Sequence, residues 1–179
     1  GGSVLALDSF FEFSVSPIVG SHLIAYSKPV LSTSEIFTFD YITGTSTQIT
    51  AQGNNVFSPT WSRDGNTLLF VMSQTIGLDS DIFKAPATVG GAVTRVTNTP
   101  SVGKSFAFFN EDSTKIADIQ FNGAGTQTIQ IITNNGTTYT QLIADDSLQP
   151  ILYWTDSNGR SFSANMPHYR LGHHPRIRP

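Results

Sequence analysis

Residues 57–97 read FSPTWSRDGNTLLFVMSQTIGLDSDIFKAPATVGGAVTRVT, and the rest of the chain carries weaker copies of them. The stretch holds four short apolar segments separated by polar turns. Phe57–Trp61 reads as a strand, and Asp64-Gly65 supplies the positive φ that a tight hairpin turn demands. Thr67–Met72 is a near-continuous apolar run, the pattern of a strand buried on both faces. Asp81-Ile82-Phe83 opens a third strand, Gly90-Gly91 turns, and Val93–Thr97 forms a fourth.

The copies recur at 46 to 48 residues. Downstream, Phe109-Asn110-Glu111-Asp112-Ser113-Thr114-Lys115-Ile116-Ala117 lies on Trp61–Leu69 without a gap. Thr128-Ile129-Gln130 matches Asp81-Ile82-Phe83, and Gln141-Leu142-Ile143 matches Arg95-Val96-Thr97. Upstream, Phe10–Ser14, His22–Tyr26, Glu35–Phe39 and Ser46–Thr50 read as the same four strands. A last copy begins at Tyr153-Trp154 and runs through Gly159 to Phe162. One such sheet cannot bury both of its faces, so copies must stack. Four antiparallel strands per unit at a period of about 46 residues predict an all-β chain of β-propeller blades, three and a half to four in number. The units are about 10–55, 57–102, 104–148 and 150–166 onward, followed by a basic His/Arg/Pro tail at 167–179. A β-sandwich also fits short strands and frequent turns, but not recurrence at one spacing.

Unit four is short by an outer strand, and the apolar run Val4–Leu7 is unassigned. So few units make either a fragment, half of an assembled ring, or a small ring of four, and in the last case we expect Val4–Leu7 to supply the missing strand and close the ring. Trp61 and Trp154 share one repeat position, which Phe109 and Phe13 fill in the other units. An aromatic there once per blade reads as core between blades rather than a sugar-stacking platform.

Composition narrows the function. Only 13% of residues are charged. All 13 acids lie before residue 160 with six of the ten Lys/Arg, whereas 160–179 holds Arg160, Arg170, Arg176, Arg178 and no acid. An acidic body argues against nucleic-acid binding, which needs a basic surface to displace counterions. No cysteine is present, which excludes disulfides, thiolate metal sites and Cys nucleophiles and fits a periplasmic or bacterial surface protein. No apolar run approaches the roughly 20 residues of a membrane helix.

The string Ser58-Pro59-Thr60-Trp61-Ser62-Arg63-Asp64-Gly65, followed by Asp81-Ile82-Phe83, Gly90-Gly91 and Arg95-Val96-Thr97, resembles the TolB-type propeller repeat. That repeat reads approximately S-P-x-W-S-P-D-G, D-I-Y, G-G, R-L-T. Arg63, Phe83 and Val96 depart from it. Similar repeats build the propellers of prolyl-oligopeptidase and tricorn-type proteases. The resemblance implies a fold and a binding role, and no substrate.

Few residues invite chemistry. Asp64 and Asp112, each in the same turn, read as turn-forming side chains that bond their own backbone. Asp79 and Asp81, and Asp145-Asp146, have oxygen ligands at spacings that suit calcium, though no complete calcium loop surrounds them. Asp81 also falls at the strand-opening position of the repeat. His168, His173 and His174 are candidates for binding a metal or an anionic partner, against the simpler reading of a flexible or artefactual tail. Asn135-Gly136-Thr137 is a glycosylation sequon that matters only in a eukaryotic secretory setting. Motifs of a nucleophile elbow, zinc protease, P-loop and dinucleotide fold are absent, and His22 is the one histidine of the body. The expectation is a non-enzymatic binding or scaffold module, periplasmic or at the cell surface, without a cofactor, holding a protein or glycan through its loops. Two alternatives stand beside it: the substrate-gating propeller of a larger hydrolase or peptidase, and a self-assembling extracellular subunit.

Overall fold

The computed structural model describes residues 12–73, 79–121, 127–136, 138–144, 153–155 and 161–163. Every regular element among them is a strand. The first blade comprises β1 (Phe13–Val15), β2 (Leu23–Val30), β3 (Thr33–Asp40) and β4 (Thr45–Gln48), each antiparallel to the next. The second comprises β5 (Asn55–Trp61), β6 (Thr67–Ser73), β7 (Ser80–Pro86) and the two-residue β8 (Thr94–Arg95). The third is β9 (Gly103–Phe109), β10 (Lys115–Phe121), β11 (Gln127–Thr133) and β12 (Thr138–Ala144). A separate hairpin, β13 (Tyr153–Thr155) with β14 (Ser161–Ser163), pairs Trp154 with Phe162 and belongs to a second compact unit beginning at Gln149. Val4–Leu7, Asp145-Asp146, Gly159 and the tail histidines lie outside the described residues, as does the side chain of Trp154.

The apolar run of β6 has the double burial its composition implies. Leu68, Phe70 and Met72 join Val56, Trp61 and Ala85 against Ala25, Ile36 and Ile49 of the first blade. The intervening Leu69 turns the other way, and with Ile82 and Val96 it meets Ala107, Phe109, Ile116 and Ile132 of the third. Each Val, Leu, Ile, Phe or Met among them contributes about 1.5–3 kcal/mol by burial, so the two interfaces hold the blades together. Trp61 is buried, and its indole N–H donates to the Ser14 carbonyl at 3.0 Å. Phe109 fills the matching place in the next interface.

The first blade departs from the expected alignment. The closing bond of the β5–β6 turn runs from Ser62 N–H to Thr67 O at 2.8 Å, and that of the β9–β10 turn from Asn110 N–H to Lys115 O at 2.9 Å. In the first blade it runs from Ser16 N–H to Leu23 O at 2.9 Å, two residues farther apart. Val15, not Phe13, therefore stands at the Trp61 position. Pro17 and Gly20 lie within that longer turn, and spacing by aromatic residues alone concealed the insertion.

Two polar joins recur between elements. Ser34 Oγ accepts from Val56 N–H at 3.0 Å and donates to Val56 O at 2.8 Å. One blade later, Ser80 Oγ accepts from Lys104 N–H at 2.6 Å and donates to Lys104 O at 2.9 Å. The second join is acidic. Asp81 accepts from the Arg95 guanidinium, from Thr97 Oγ1 at 2.7 Å and from Thr99 N–H at 3.0 Å. In the first blade Glu35 accepts from Thr50 Oγ1 at 2.5 Å and from the Gln52 and Gly53 amides at 2.7 and 2.8 Å. Each acid ties the third strand of its blade to the link leading into the next blade. The third blade has Thr128 at this position.

Candidate functional site

Of the candidate calcium ligands, Asp79 and Asp81 accept hydrogen bonds from the protein itself. Burial pushes the Asp81 carboxyl up, but the bonds from Arg95, Thr97 and Thr99 outweigh it and hold the group below the usual carboxylate range. Asp79 is exposed, and its Oδ1 accepts the Ser101 amide at 2.9 Å. No three His, Asp or Glu side chains converge on one point among the described residues. Glu35 is the counterpart of Asp81 although a Glu-Ile-Phe triplet does not match Asp-Ile-Phe letter by letter.

Asp64 and Asp112 are turn carboxylates. The Ser62 hydroxyl, at 2.6 Å, and the Asn66 amide hold Asp64 low, and Thr114 does the same for Asp112. Their turns match down to backbone sign: Gly65 has φ +68° and Ser113 φ +58°. Arg63, which stands where the repeat has proline, pairs with Glu111 of the next turn at 2.6 Å.

The first site that sequence spacing did not reveal is a polar trio in an apolar interface. Lys104 corresponds to Val56, Asp118 to Phe70 and Gln120 to Met72, and the register pair Gln120–Lys104 repeats Met72–Val56. Lys104 Nζ donates to Asp118 Oδ2 at 2.6 Å and to Gln120 Oε1 at 2.7 Å. Lys104 and Asp118 are fully buried, and among the described residues Asp118 Oδ1 has no hydrogen-bond partner. Burial pushes the Asp118 carboxyl up against the pull of the Lys104 ammonium.

The second is an exposed apolar face. In a four-stranded antiparallel blade, the first and third turns emerge at one edge and the second turn and the inter-blade link at the other. Asp40 caps the β3–β4 turn by accepting the Ile42 and Thr43 amides at 2.8 and 3.1 Å, which leaves Ile42 65% exposed. Tyr41 lies edge-on to the exposed His22 ring at 5.3 Å, joining this turn to the β1–β2 turn. In that turn Ser21 N–H closes on Ile18 O at 2.9 Å, and Val19 projects fully into solvent. Gly65 of the second blade abuts Ile18: a Cβ on it would stand 2.5 Å from Ile18 Cγ1. The β7–β8 turn of that blade adds Val89, 70% exposed. Ile18, Val19, Tyr41, Ile42 and Val89 thus share one edge of two adjacent blades. Leu31, also fully exposed, marks the opposite edge.

Repeated four-stranded blades, joined by the same serine and packed through the same aromatic position, find their match among solved structures. One is TolB from Agrobacterium tumefaciens, at 19% identity and TM-score 0.59 over 69% of this chain and 47% of that one. The fold is a TolB-like β-propeller. A structure of the tricorn protease matches 86% of this chain and 21% of that chain at 12% identity and TM-score 0.60. A nidogen/laminin complex supplies another match, at 17% identity and TM-score 0.57 over 70% of this chain and 45% of that one. The chain spans less than half the length of each. No protein-family profile matches it, and no curated protein does. Among the described residues, no helix of the propeller is long and apolar enough to cross a membrane.

Proposed function

We propose that this propeller is a non-catalytic binding module of an exported bacterial protein, periplasmic or at the cell surface, and that the edge bearing Ile18, Val19, Tyr41, Ile42 and Val89 meets a protein partner. The observation that carries this is the exposure of those apolar side chains at turns, where polar residues are the rule, on neighbouring blades. Val19, Ile42 and Val89 have no hydrogen-bonding groups for a sugar, so they favour a protein over a glycan. TolB and the nidogen/laminin complex among the neighbours fit that reading.

Affinity capture from the envelope fraction of the cell of origin tests it, with the wild type beside a Val19→Ser/Ile42→Ser/Val89→Ser variant. A protein held by the wild type and lost from the variant, at unchanged melting temperature, is the expected result. Equal retention by both, or capture by neither, refutes it. The tricorn match favours a second reading, the propeller of a larger hydrolase. A hydrolase segment encoded beside this one in the parent gene decides for that reading. Light scattering separates both from self-assembly, which alone produces polymers.

A further inference from the structure

Three inner-strand regions meet at one hydroxyl. Glu12 immediately precedes β1, Ser58 lies in β5, and Ser105 lies in β9. The β5 ladder shifts register between Phe57 and Thr60, and the β9–β10 ladder shifts beside Ser105, so both serines sit at bulges. Ser58 Oγ is 2.5 Å from Glu12 Oε2 and 2.6 Å from the Ser105 carbonyl oxygen. Both contacts are short enough to require a proton between the oxygens. A serine hydroxyl carries one proton, and a carbonyl oxygen and an ionised carboxylate only accept. Three oxygens in a row with two links need two protons. The second can come only from Glu12.

We infer that Glu12 is protonated when the three blades are joined in this way, donating to Ser58 Oγ while Ser58 donates to Ser105 O, and that ionising Glu12 breaks one of the two links. The joint between blades is then a proton-controlled latch. Ser58 has reason to relax when a link is lost, since it is held at φ +53°, a left-handed conformation that costs a non-glycine residue energy. It is also buried, at 3% exposure.

Among the described residues, the surrounding charges do not supply an alternative. Described residues of β1, β5 and β6 carry no charged side chain. Lys28 of β2 lies over the Phe37 ring at 5.5 Å, and Lys104 of β9 is taken by Asp118 and Gln120 of β10. On β3, Glu35 serves the Thr50–Gly53 link and Asp40 caps its turn, while on β7 Asp81 holds Arg95 and Lys84 donates to Asn134 at 2.9 Å. Burial pushes the Glu12 carboxyl up, and the Ser58 bonds oppose it without reversing it.

The sign follows from linkage. With the carboxyl raised in the folded state, its contribution is complete below the unfolded value of about 4.3 and is lost as pH rises through the folded value. Glu12→Gln replaces the carboxyl proton with an amide N–H that does not titrate. Urea unfolding of wild type and Glu12→Gln from pH 4 to pH 8 should give a ratio of unfolding constants, wild type over variant, that climbs by up to tenfold per pH unit until Glu12 ionises in the fold. A ratio that stays flat over that range overturns the latch. Carboxyl ¹³C NMR of the wild type gives the answer independently of the variant: a Glu12 midpoint above the ordinary glutamate value supports the proposal, and one at or below it overturns it.

Discussion

Ser80 grips Lys104 from both sides, its hydroxyl accepting the Lys104 amide at 2.6 Å and donating to the Lys104 carbonyl at 2.9 Å. Ser34 holds Val56 in the same way. The side chains held so differ completely, an ammonium in one interface and an isopropyl in the other. The join acts on backbone alone, which is why it can recur while the interface chemistry changes.

Removing that hydroxyl strips a buried donor and a buried acceptor of one partner each. Ser80→Ala should lower stability by about 1–3 kcal/mol, because groups buried without partners carry their full desolvation cost. Urea unfolding at pH 7 checks this. A loss under about 0.5 kcal/mol, the range of ordinary surface changes, contradicts it.

The Lys104–Asp118 pair invites a comparison of breaking with replacing. Lys104→Met leaves a buried carboxylate uncompensated and should destabilise by about 3–5 kcal/mol. The triple variant Lys104→Val/Asp118→Phe/Gln120→Met copies the residues of the neighbouring interface and should recover most of that loss. Equilibrium unfolding of both variants tests the claim that the two interfaces are equivalent. A triple variant no more stable than Lys104→Met refutes it.

Asp81 gives a pH dependence of opposite sign to that of Glu12. Its folded carboxyl is held below the usual range, so its contribution is present above about pH 4 and fades as pH falls through the folded value. Asp81→Asn should cost about 1.5–3 kcal/mol at pH 7, the size of a hydrogen bond to a charged group. The gap between wild type and variant should narrow below pH 4 in acid-unfolding titrations. A gap that is constant from pH 7 to pH 3 argues against the clamp.

Gly65 and Ser113 occupy the same turn position with positive φ. Ser113→Gly should stabilise by about 1 kcal/mol by relieving a left-handed serine. Gly65→Ala should destabilise by more, since the new Cβ also meets Ile18. Thermal unfolding of the two variants should therefore shift in opposite directions.

The fold was legible because the second blade states every element in full: Asp64-Gly65 for a turn, an unbroken apolar β6, and Asp81-Ile82-Phe83 for a strand start. The first blade was misaligned by two residues, since a longer turn with Pro17 and Gly20 displaced the register while Phe13 happened to mimic an aromatic core position. Sites were harder to read. Lys104, Asp118 and Gln120 look like ordinary surface residues until the strand register lays them on Val56, Phe70 and Met72. Val19, Ile42 and Val89 are hard to read for a related reason: Gly and Asn mark a turn, but exposure of the apolar residues within it depends on packing that spacing does not encode.

The binding edge is the central claim, and a photo-crosslinking residue placed singly at Ile42 or at Leu31 tests it most directly. Both positions are exposed, and they lie on opposite edges of the first blade. In the cell of origin, crosslinking from position 42 should yield a discrete adduct with another protein, and position 31 should not. An adduct from position 31 alone, or none from position 42, would contradict the account.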